Sequence, residues 1–201
     1  MPSNEKPKLP AFTFLIGPHG CGKTALATML AAQNSRVVMA SFDEPLREAT
    51  LSIFFPEQMH LGIDLRSPEG LATFLPGLGL RSIDFLSLFK KFLLDLSPNI
   101  FGDLAKRRTM QMYAGAFDHV IYDDTSAIED MKPFVLAFGV EHTLAIFIDR
   151  AKHPIAPYLT KFSGAFINKF VVGNPEGHPE EMLVKLAANF PSGEKADTGD
   201  L

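Results

Sequence analysis

The stretch LIGPHGCGKTALATM, residues 15–29, decides the fold of this chain. Three glycines, a proline, a lysine and a threonine occur together where the hydrophobic run AFTFLI, residues 11–16, ends. Glycine destabilises the interior of a strand or helix unless its conformational freedom is used. The stretch therefore predicts a tight turn after a buried strand, with a main chain that a ligand approaches closely.

The turn matches the pattern G-x-x-x-x-G-K-[ST], and a helix is predicted after it over residues 23–33. Such glycines let backbone N–H groups face an anion, and the helix adds the positive end of its dipole. This predicts a loop for the phosphates of ATP, in which Lys23 reaches the β- and γ-phosphates and Thr24 ligates Mg²⁺. We expect Cys21 to pack inside the loop and His19 to be a spacer near the phosphates. The predicted nucleotide-binding residues of the loop are Gly17, Pro18, His19, Gly20, Cys21, Gly22, Lys23 and Thr24.

The composition is that of an ordinary globular protein, with 201 residues, 46% of them hydrophobic, and a net charge of -4. We expect a loose leader at 1–10, one domain over 11–190 and a solvated tail at 191–201. The single cysteine excludes an internal disulfide, and the negative charge argues against duplex nucleic acid as a partner. No run approaches the ~18 apolar residues of a membrane helix, so we expect a cytoplasmic protein without a membrane contact.

Strands and helices alternate along the sequence. This predicts an α/β fold with a parallel sheet of about five strands, helices on both faces, and a helical insertion between strands two and three. Asp43 is the predicted cap of a helix that begins near Pro45, and Ser126 with Glu129 forms a capping-box pattern. The predicted strands span residues 11–16, 36–41, 119–124, 143–149 and 166–172, and the other predicted helices span residues 82–96, 98–115, 126–139 and 178–190.

Two carboxylates, Asp123 and Asp124, end the predicted third strand, HVIYDD. Ligands of open α/β sheets bind beyond the carboxyl ends of the strands, and Mg²⁺ prefers oxygen ligands. We therefore expect both aspartates at the metal site, with Asp123 on the metal side. The other aspartate could instead cap a helix or orient the phosphoryl acceptor.

The order of these elements resembles the nucleoside monophosphate kinases, and more closely the deoxynucleoside monophosphate kinases common among bacteriophages. The resemblance covers roughly residues 10–190, and only the glycine-rich segment is specific on its own. The segments that carry it are FLIGPHGCGKTALATML, ASFDEPLREA, SPNIFGDLAKRR, IYDDTSAIED, IFIDR and FVVGNPEGHPEEM.

The resemblance implies a P-loop NTPase fold of three layers and transfer of the γ-phosphoryl group of ATP, with Mg²⁺, to a nucleoside monophosphate. Arg47 would bind the acceptor phosphate, Arg150 would be a lid residue at the donor phosphates, and the backbone of Asn174 would line the adenine. Phe42 either stacks under the acceptor base or belongs to the core. The expected catalytic residues are Lys23, Arg47, Asp123 and Arg150, and a phage-encoded enzyme would work in the host cytoplasm.

Some positions depart from the family pattern. Asp43 stands where alanine is usual, Thr125 replaces an arginine or glycine, and Arg47 replaces a lysine. The glycine-rich segment has Gly22-Lys23-Thr24 where family members often have G-K-D-T.

These departures keep two other functions open. A carboxylate at Asp43 could serve as the base of a kinase whose acceptor is a hydroxyl group, in a nucleoside or a sugar acid. Thr125 keeps open a catalytically silent nucleotide-binding module. A GTPase is disfavoured because Val171 stands where the guanine-binding pattern N-K-x-D has its aspartate. The basic run at 106–108 is expected to be a solvated helix end. The accepted base and sugar, and the formation of a homodimer, stay open.

Overall fold

Five parallel strands form one sheet in the computed structural model, which describes residues 11–55, 63–113, 115–149, 155–163, 168–174 and 178–187. The strands are β1 (Ala11–Ile16), β2 (Val37–Ala40), β3 (His119–Tyr122), β4 (Thr143–Asp149) and β5 (Asn168–Gly173). Their order across the sheet is β2-β3-β1-β4-β5. The chain leaves β1 towards one edge and leaves β3 towards the other. A crevice therefore opens at the carboxyl ends of these two neighbouring strands, where ligands of such sheets bind.

The helices cover both faces of this sheet, and several lie in the connection between β2 and β3. None of those described is both long and apolar enough to cross a membrane. They are α1 (Lys23–Gln33), α2 (Glu44–Phe54), α3 (Pro68–Ala72), α4 (Ser82–Leu96), α5 (Ile100–Met112), α6 (Ile128–Phe138), α7 (Ala156–Lys161) and α8 (Pro179–Ala187), with a short 3-10 helix at Val140–His142.

The core lies on both sides of β1 because successive side chains of a strand point to opposite faces. Phe12, Phe14 and Ile16 belong to the larger cluster, together with residues of α2, α5 and α6. Leu15 belongs to the second cluster, with Leu26 of α1 and residues of α8. The predicted α/β architecture with a parallel five-stranded sheet and helices on both faces is confirmed.

Phe42 is a core residue. Its side chain is 2% exposed, and its ring stacks on Tyr122 with 4.4 Å between ring centroids and an interplanar angle of 26°. The Phe134 ring packs edge-on against the Phe42 ring, with 6.1 Å between the ring centroids. Of the two roles that the sequence left open for Phe42, the structure places it in the core, where it ties the residues after β2 to the sheet.

The predicted element bounds differ from the observed ones mainly near the site. The first and fourth strands and the helices at 23–33 and 82–96 lie where they were predicted. The third strand ends at Tyr122, so Asp123 and Asp124 follow it instead of ending it. The first residues of the predicted fifth strand, the leader and the tail lie outside the described residues.

Both capping predictions need correction. Asp43 does occupy the N-cap position of α2, but its side chain makes no capping bond there, because Lys90 engages the carboxylate at 2.6 Å. The helix α6 begins one residue later than the Ser126–Glu129 box requires. Asp130, and not Glu129, accepts the hydrogen bonds from the N–H groups of Ser126 and Ala127, each at 2.9 Å.

Gly102 allows α5 to cross α6 at close range. A Cβ at this position would lie 2.5 Å from the carbonyl oxygen of Asp130 and 2.9 Å from Cδ of Pro133. Because neither atom belongs to a flexible side chain, the two helices would have to separate.

We expect Gly102→Ala to lower the free energy of unfolding by about 1–3 kcal/mol, measured by urea denaturation. Gln111→Ala, at an exposed position of the same helix, is the control and should change this value by less than about 0.5 kcal/mol. An alanine variant at position 102 as stable as the wild type would contradict the close crossing.

Candidate functional site

The glycine-rich loop, residues 17–22, joins β1 to α1 and depends on glycine at its last position. Gly22 has φ of 102°, in the left-handed region that disfavours side chains. A Cβ there would also lie 3.1 Å from Nδ2 of Asn174 and 3.2 Å from Cε of Met182. The main chain of the loop can therefore pack against these neighbours only without a side chain at position 22.

The Lys23 side chain bonds back to the first two residues of the loop. Its Nζ donates hydrogen bonds to the carbonyl oxygens of Gly17 at 2.8 Å and Pro18 at 2.9 Å. No side chain caps α1 at Gly22, and the N–H groups of a first helical turn have no acceptor within the helix. A cavity of about 680 Å³, here called the loop cavity, lies beside the loop. One wall of it carries the hydrogen-bond donors of the loop, of Lys23 and of the first turn of α1.

Asn174 holds the loop in place from β5. Its Nδ2 donates to the carbonyl oxygen of Cys21 at 3.1 Å. Its backbone N–H donates to the carbonyl oxygen of Asp149 at 2.6 Å. The Cys21 side chain is buried, so the prediction that it packs inside the loop is confirmed. The expectation for Asn174 concerned its backbone, at the adenine; its side chain supports the loop.

Thr24 and Asp123 meet in the crevice between the sheet and α1. The Thr24 hydroxyl donates to Oδ2 of Asp123 at 2.6 Å, although the two residues are 99 positions apart. The pairing of β1 with β3, in which Phe14 lies opposite Tyr122, brings them together. The two residues predicted to flank a Mg²⁺ ion are therefore direct neighbours.

Asp124 is engaged by the segment that follows β2. Its carboxylate accepts hydrogen bonds from the Ser41 hydroxyl at 2.5 Å and from the N–H groups of Phe42 and Asp43 at 3.0 and 3.3 Å. Burial raises the pKa of Asp124 to about 6, against the opposing effect of the bonds from Ser41 and Phe42. All three donors belong to residues 41–43, directly before α2, so the Asp124 carboxylate holds the segment that leads into this helix.

A second cavity, of about 630 Å³, lies between the carboxyl ends of β2 and β3 and the helices α2 and α4. We call it the helical cavity. Leu65, Leu71, Ile83 and Leu86 form part of an apolar wall. Charged side chains form much of the rest of the lining, which includes the basic residues Arg47, Arg66, Lys90 and Arg108 and the acidic residues Asp43, Glu44, Asp123 and Asp124.

Arg47 and its neighbour Arg66 share one carboxylate in this lining. Arg47 donates to the Ser41 hydroxyl at 2.5 Å and to Oε2 of Glu44 at 3.3 Å, and Arg66 lies 2.5 Å from the same Glu44 oxygen. Burial alone would raise the pKa of Glu44, but the guanidinium groups of Arg66 and then Arg47 outweigh burial and lower this pKa. Glu44 is therefore ionised at neutral pH.

The two cavities share Thr24, Asp123 and Asp124. A ligand in the loop cavity and a ligand in the helical cavity would therefore meet at the Thr24–Asp123 pair. The arrangement offers donors for anions on both sides of this pair, together with hydroxyl and carboxylate oxygens suited to a hard cation. Within the described residues no cluster of three or more His, Cys, Asp or Glu side chains could hold a metal ion by itself.

Sequence reasoning missed or misplaced some lining residues. Arg108, expected at a solvated helix end, pairs with Glu48 and lines the helical cavity. Lys90 was overlooked, although it lies seven residues after Ile83 and thus on the same face of α4. Lys161 of α7 was also overlooked; it donates to the carbonyl oxygen of Ser126 in the loop cavity.

Two predicted positions remain to be placed. Arg150 lies outside the described residues. Thr125 lines the loop cavity and is buried, and its hydroxyl has no hydrogen-bond partner among the described residues. No protein-family model matches this chain, and the search of curated proteins found no match either.

The raised pKa of Asp124 makes stability depend on pH in a defined direction. An acid whose pKa rises on folding from 3.8 to about 6 binds more protons in the folded state between these values, so stability falls as the pH increases. Asp124→Asn cannot ionise. The stability of the wild type relative to this variant should therefore fall by about 2 kcal/mol between about pH 4.5 and pH 7, in urea denaturation.

Asp95→Asn, at an exposed position of α4, is the control for this measurement. The wild type and this control should show curves of unfolding free energy against pH that run nearly parallel. If the curve of Asp124→Asn is also parallel to that of the wild type, the account of Asp124 is wrong.

Proposed function

We propose that this protein is a nucleoside monophosphate kinase, which transfers the γ-phosphoryl group of ATP to a nucleoside monophosphate. The observation that carries the proposal is the meeting of the loop cavity and the helical cavity at the Thr24–Asp123 pair. One cavity has the donors of a glycine-rich loop, and the other has basic side chains beside an apolar wall. The G-x-x-x-x-G-K-[ST] pattern and the resemblance to P-loop phage kinases support the same conclusion.

The loop cavity would bind the ATP phosphates. When bound, Mg·ATP would supply the phosphoryl group and the metal charge that offsets its oxygens. Lys23 would exchange the carbonyl oxygens of Gly17 and Pro18 for phosphate oxygens, and the first turn of α1 would donate its free N–H groups. Thr24 and Asp123 would hold Mg²⁺. The fit is good because protein-bound Mg²⁺ often relies on one or two carboxylates, water and substrate phosphates.

The helical cavity would bind the acceptor. Its volume of about 630 Å³ lies in the range of small-molecule sites. The apolar side chains would contact the base and sugar, and Arg47 would bind the phosphate. Because the acceptor phosphate is largely ionised near neutral pH, the reaction needs positioning and charge neutralisation more than a strong base.

The hydroxyl-acceptor kinase is less well supported. It requires Asp43 as a base, but the Asp43 carboxylate lies 2.6 Å from the Lys90 ammonium group. The carboxylate is thus already paired with a cation of the protein and is not free to face an acceptor hydroxyl. Asp43→Ala discriminates between the two reactions, since a monophosphate kinase should keep most of its kcat and a hydroxyl kinase should lose it.

The direct test is ADP formation from ATP and Mg²⁺ with each common ribo- and deoxyribonucleoside monophosphate in turn. Lys23→Ala is the blank and should lose at least about 100-fold in rate, since Lys23 stabilises the transferring group. Lys23-dependent ADP formation with one or a few monophosphates would support the proposal. ATP binding without ADP formation in any mixture would contradict it and leave the hydroxyl-acceptor kinase and the silent nucleotide-binding module.

Arg47 provides a sharper prediction about the acceptor. Arg47→Ala should raise the KM for the monophosphate on the order of tenfold or more, because it removes a charged donor to the acceptor phosphate. The KM for ATP should change much less. Arg107→Ala, at an exposed position of α5, is the matched control and should leave both constants unchanged. An equal effect of Arg47→Ala on both substrates would place Arg47 outside the acceptor site.

A further inference from the structure

Two arginines from different parts of the chain converge on one oxygen atom. Arg47 lies on α2 and Arg66 lies just before α3, and their terminal nitrogens are 3.3 and 2.5 Å from Oε2 of Glu44. Two guanidinium groups around one anionic oxygen form the arrangement that binds a phosphate, since each offers several N–H donors in a planar fork. The oxygen present here belongs to a carboxylate of the protein itself.

Arg47 has donor capacity that the protein does not use. Its Nε is buried and has no acceptor among the described residues, while its terminal nitrogen serves Ser41 and Glu44. A buried N–H group without an acceptor destabilises the folded protein, and because Arg47 lines the helical cavity, this unmet hydrogen bond points to a ligand. A phosphate can accept from Nε and from a terminal nitrogen of one guanidinium group at the same time, whereas Glu44 here takes only the second bond.

The lining charges of the helical cavity are balanced. Among the described residues, four basic and four acidic side chains line it, so a phosphate that binds the basic groups competes with the carboxylates for them. The pair between Glu44 and Arg66 is open to this exchange from the side of Arg66, whose side chain is 61% exposed, whereas that of Glu44 is 18% exposed. Asp124, by contrast, is held by three hydrogen bonds.

We propose that Glu44 occupies the place of the acceptor phosphate, and that Arg66 joins Arg47 in binding this phosphate once Glu44 has moved away. The inference rests on the proposed function for the identity of the acceptor, but the anion site itself rests on the geometry. Glu44 acts as a built-in competitor. Only an acceptor with a strongly charged phosphate displaces it, so the enzyme selects nucleoside monophosphates over uncharged nucleosides.

The test measures binding of inorganic phosphate by calorimetry, with every protein in a Lys23→Ala background so that the loop cavity contributes little. Glu44→Gln keeps the size of the side chain and removes its charge, and should bind phosphate about 3- to 10-fold more tightly than its parent. Arg66→Gln should bind it about 3- to 10-fold more weakly. Arg81→Gln is the control, since Arg81 forms a similar exposed pair with Asp84 outside the helical cavity, and should match the parent.

Phosphate binding by Glu44→Gln that is equal to or weaker than that of the parent, or absent in both, would overturn the proposal. Unchanged binding by Arg66→Gln would also overturn it. These results do not depend on catalysis. If no monophosphate is phosphorylated but the phosphate affinities change as stated, the anion site stands and the proposed function fails.

With Lys23 present, an active enzyme offers a second measurement. Glu44→Gln should lower the KM for the monophosphate and reduce discrimination against the corresponding nucleoside in binding. If the variant turns over normally but its KM for the monophosphate and its discrimination against the nucleoside equal those of the wild type, Glu44 does not compete with the acceptor phosphate. The proposed kinase function would be unaffected by that result.

Discussion

The parallel pairing of β1 with β3 is the constraint on which the site depends. The register that sets Phe14 opposite Tyr122 brings the end of one strand beside the end of the other. The residues that follow, the glycine-rich loop on one side and Asp123 and Asp124 on the other, must then share the same edge of the sheet. Without this pairing the Thr24–Asp123 bond could not form, and the two cavities would have no common wall. The large aromatic core beneath them, which includes Phe14, Tyr122 and Phe134, fixes this edge.

Around this edge, buried polar groups hold the backbone in place. Asn174 bonds to the loop at Cys21, and Asp124 bonds to three groups after β2. Asn174 is buried and Asp124 is half-buried, and both side chains are matched with donors or acceptors, which favours a rigid site. The charges of the helical cavity are arranged differently, since they are partly exposed and paired with one another. The site thus combines a loop cavity held by buried and half-buried hydrogen bonds with a helical cavity lined by partly exposed ion pairs.

Local sequence patterns were sufficient for much of the fold. The hydrophobic run before Gly17 and the helix formers after Lys23 predicted the first strand and helix. The expectation that Thr24 and Asp123 share one site came from the rule that ligands bind beyond the carboxyl ends of parallel strands. What could not be predicted depends on contacts distant in sequence. Asp43 has the residue type and position of a helix cap, yet Lys90, 47 positions away, takes its carboxylate. Arg108 has the sequence context of a solvated helix end, but in the fold it pairs with Glu48 of α2. No pattern within a single helix contains either partner.

The central claim is that the two cavities form one continuous site for phosphoryl transfer. It is tested most directly by the binding of a bisubstrate analogue, in which an adenosine and a second nucleoside are joined by a chain of phosphates. We expect one molecule per protein, bound far more tightly than ATP or the monophosphate alone, with affinity lost in both Lys23→Ala and Arg47→Ala. An analogue that binds no more tightly than ATP, and that is insensitive to Arg47→Ala, would show that the helical cavity is not the acceptor site and would contradict the account.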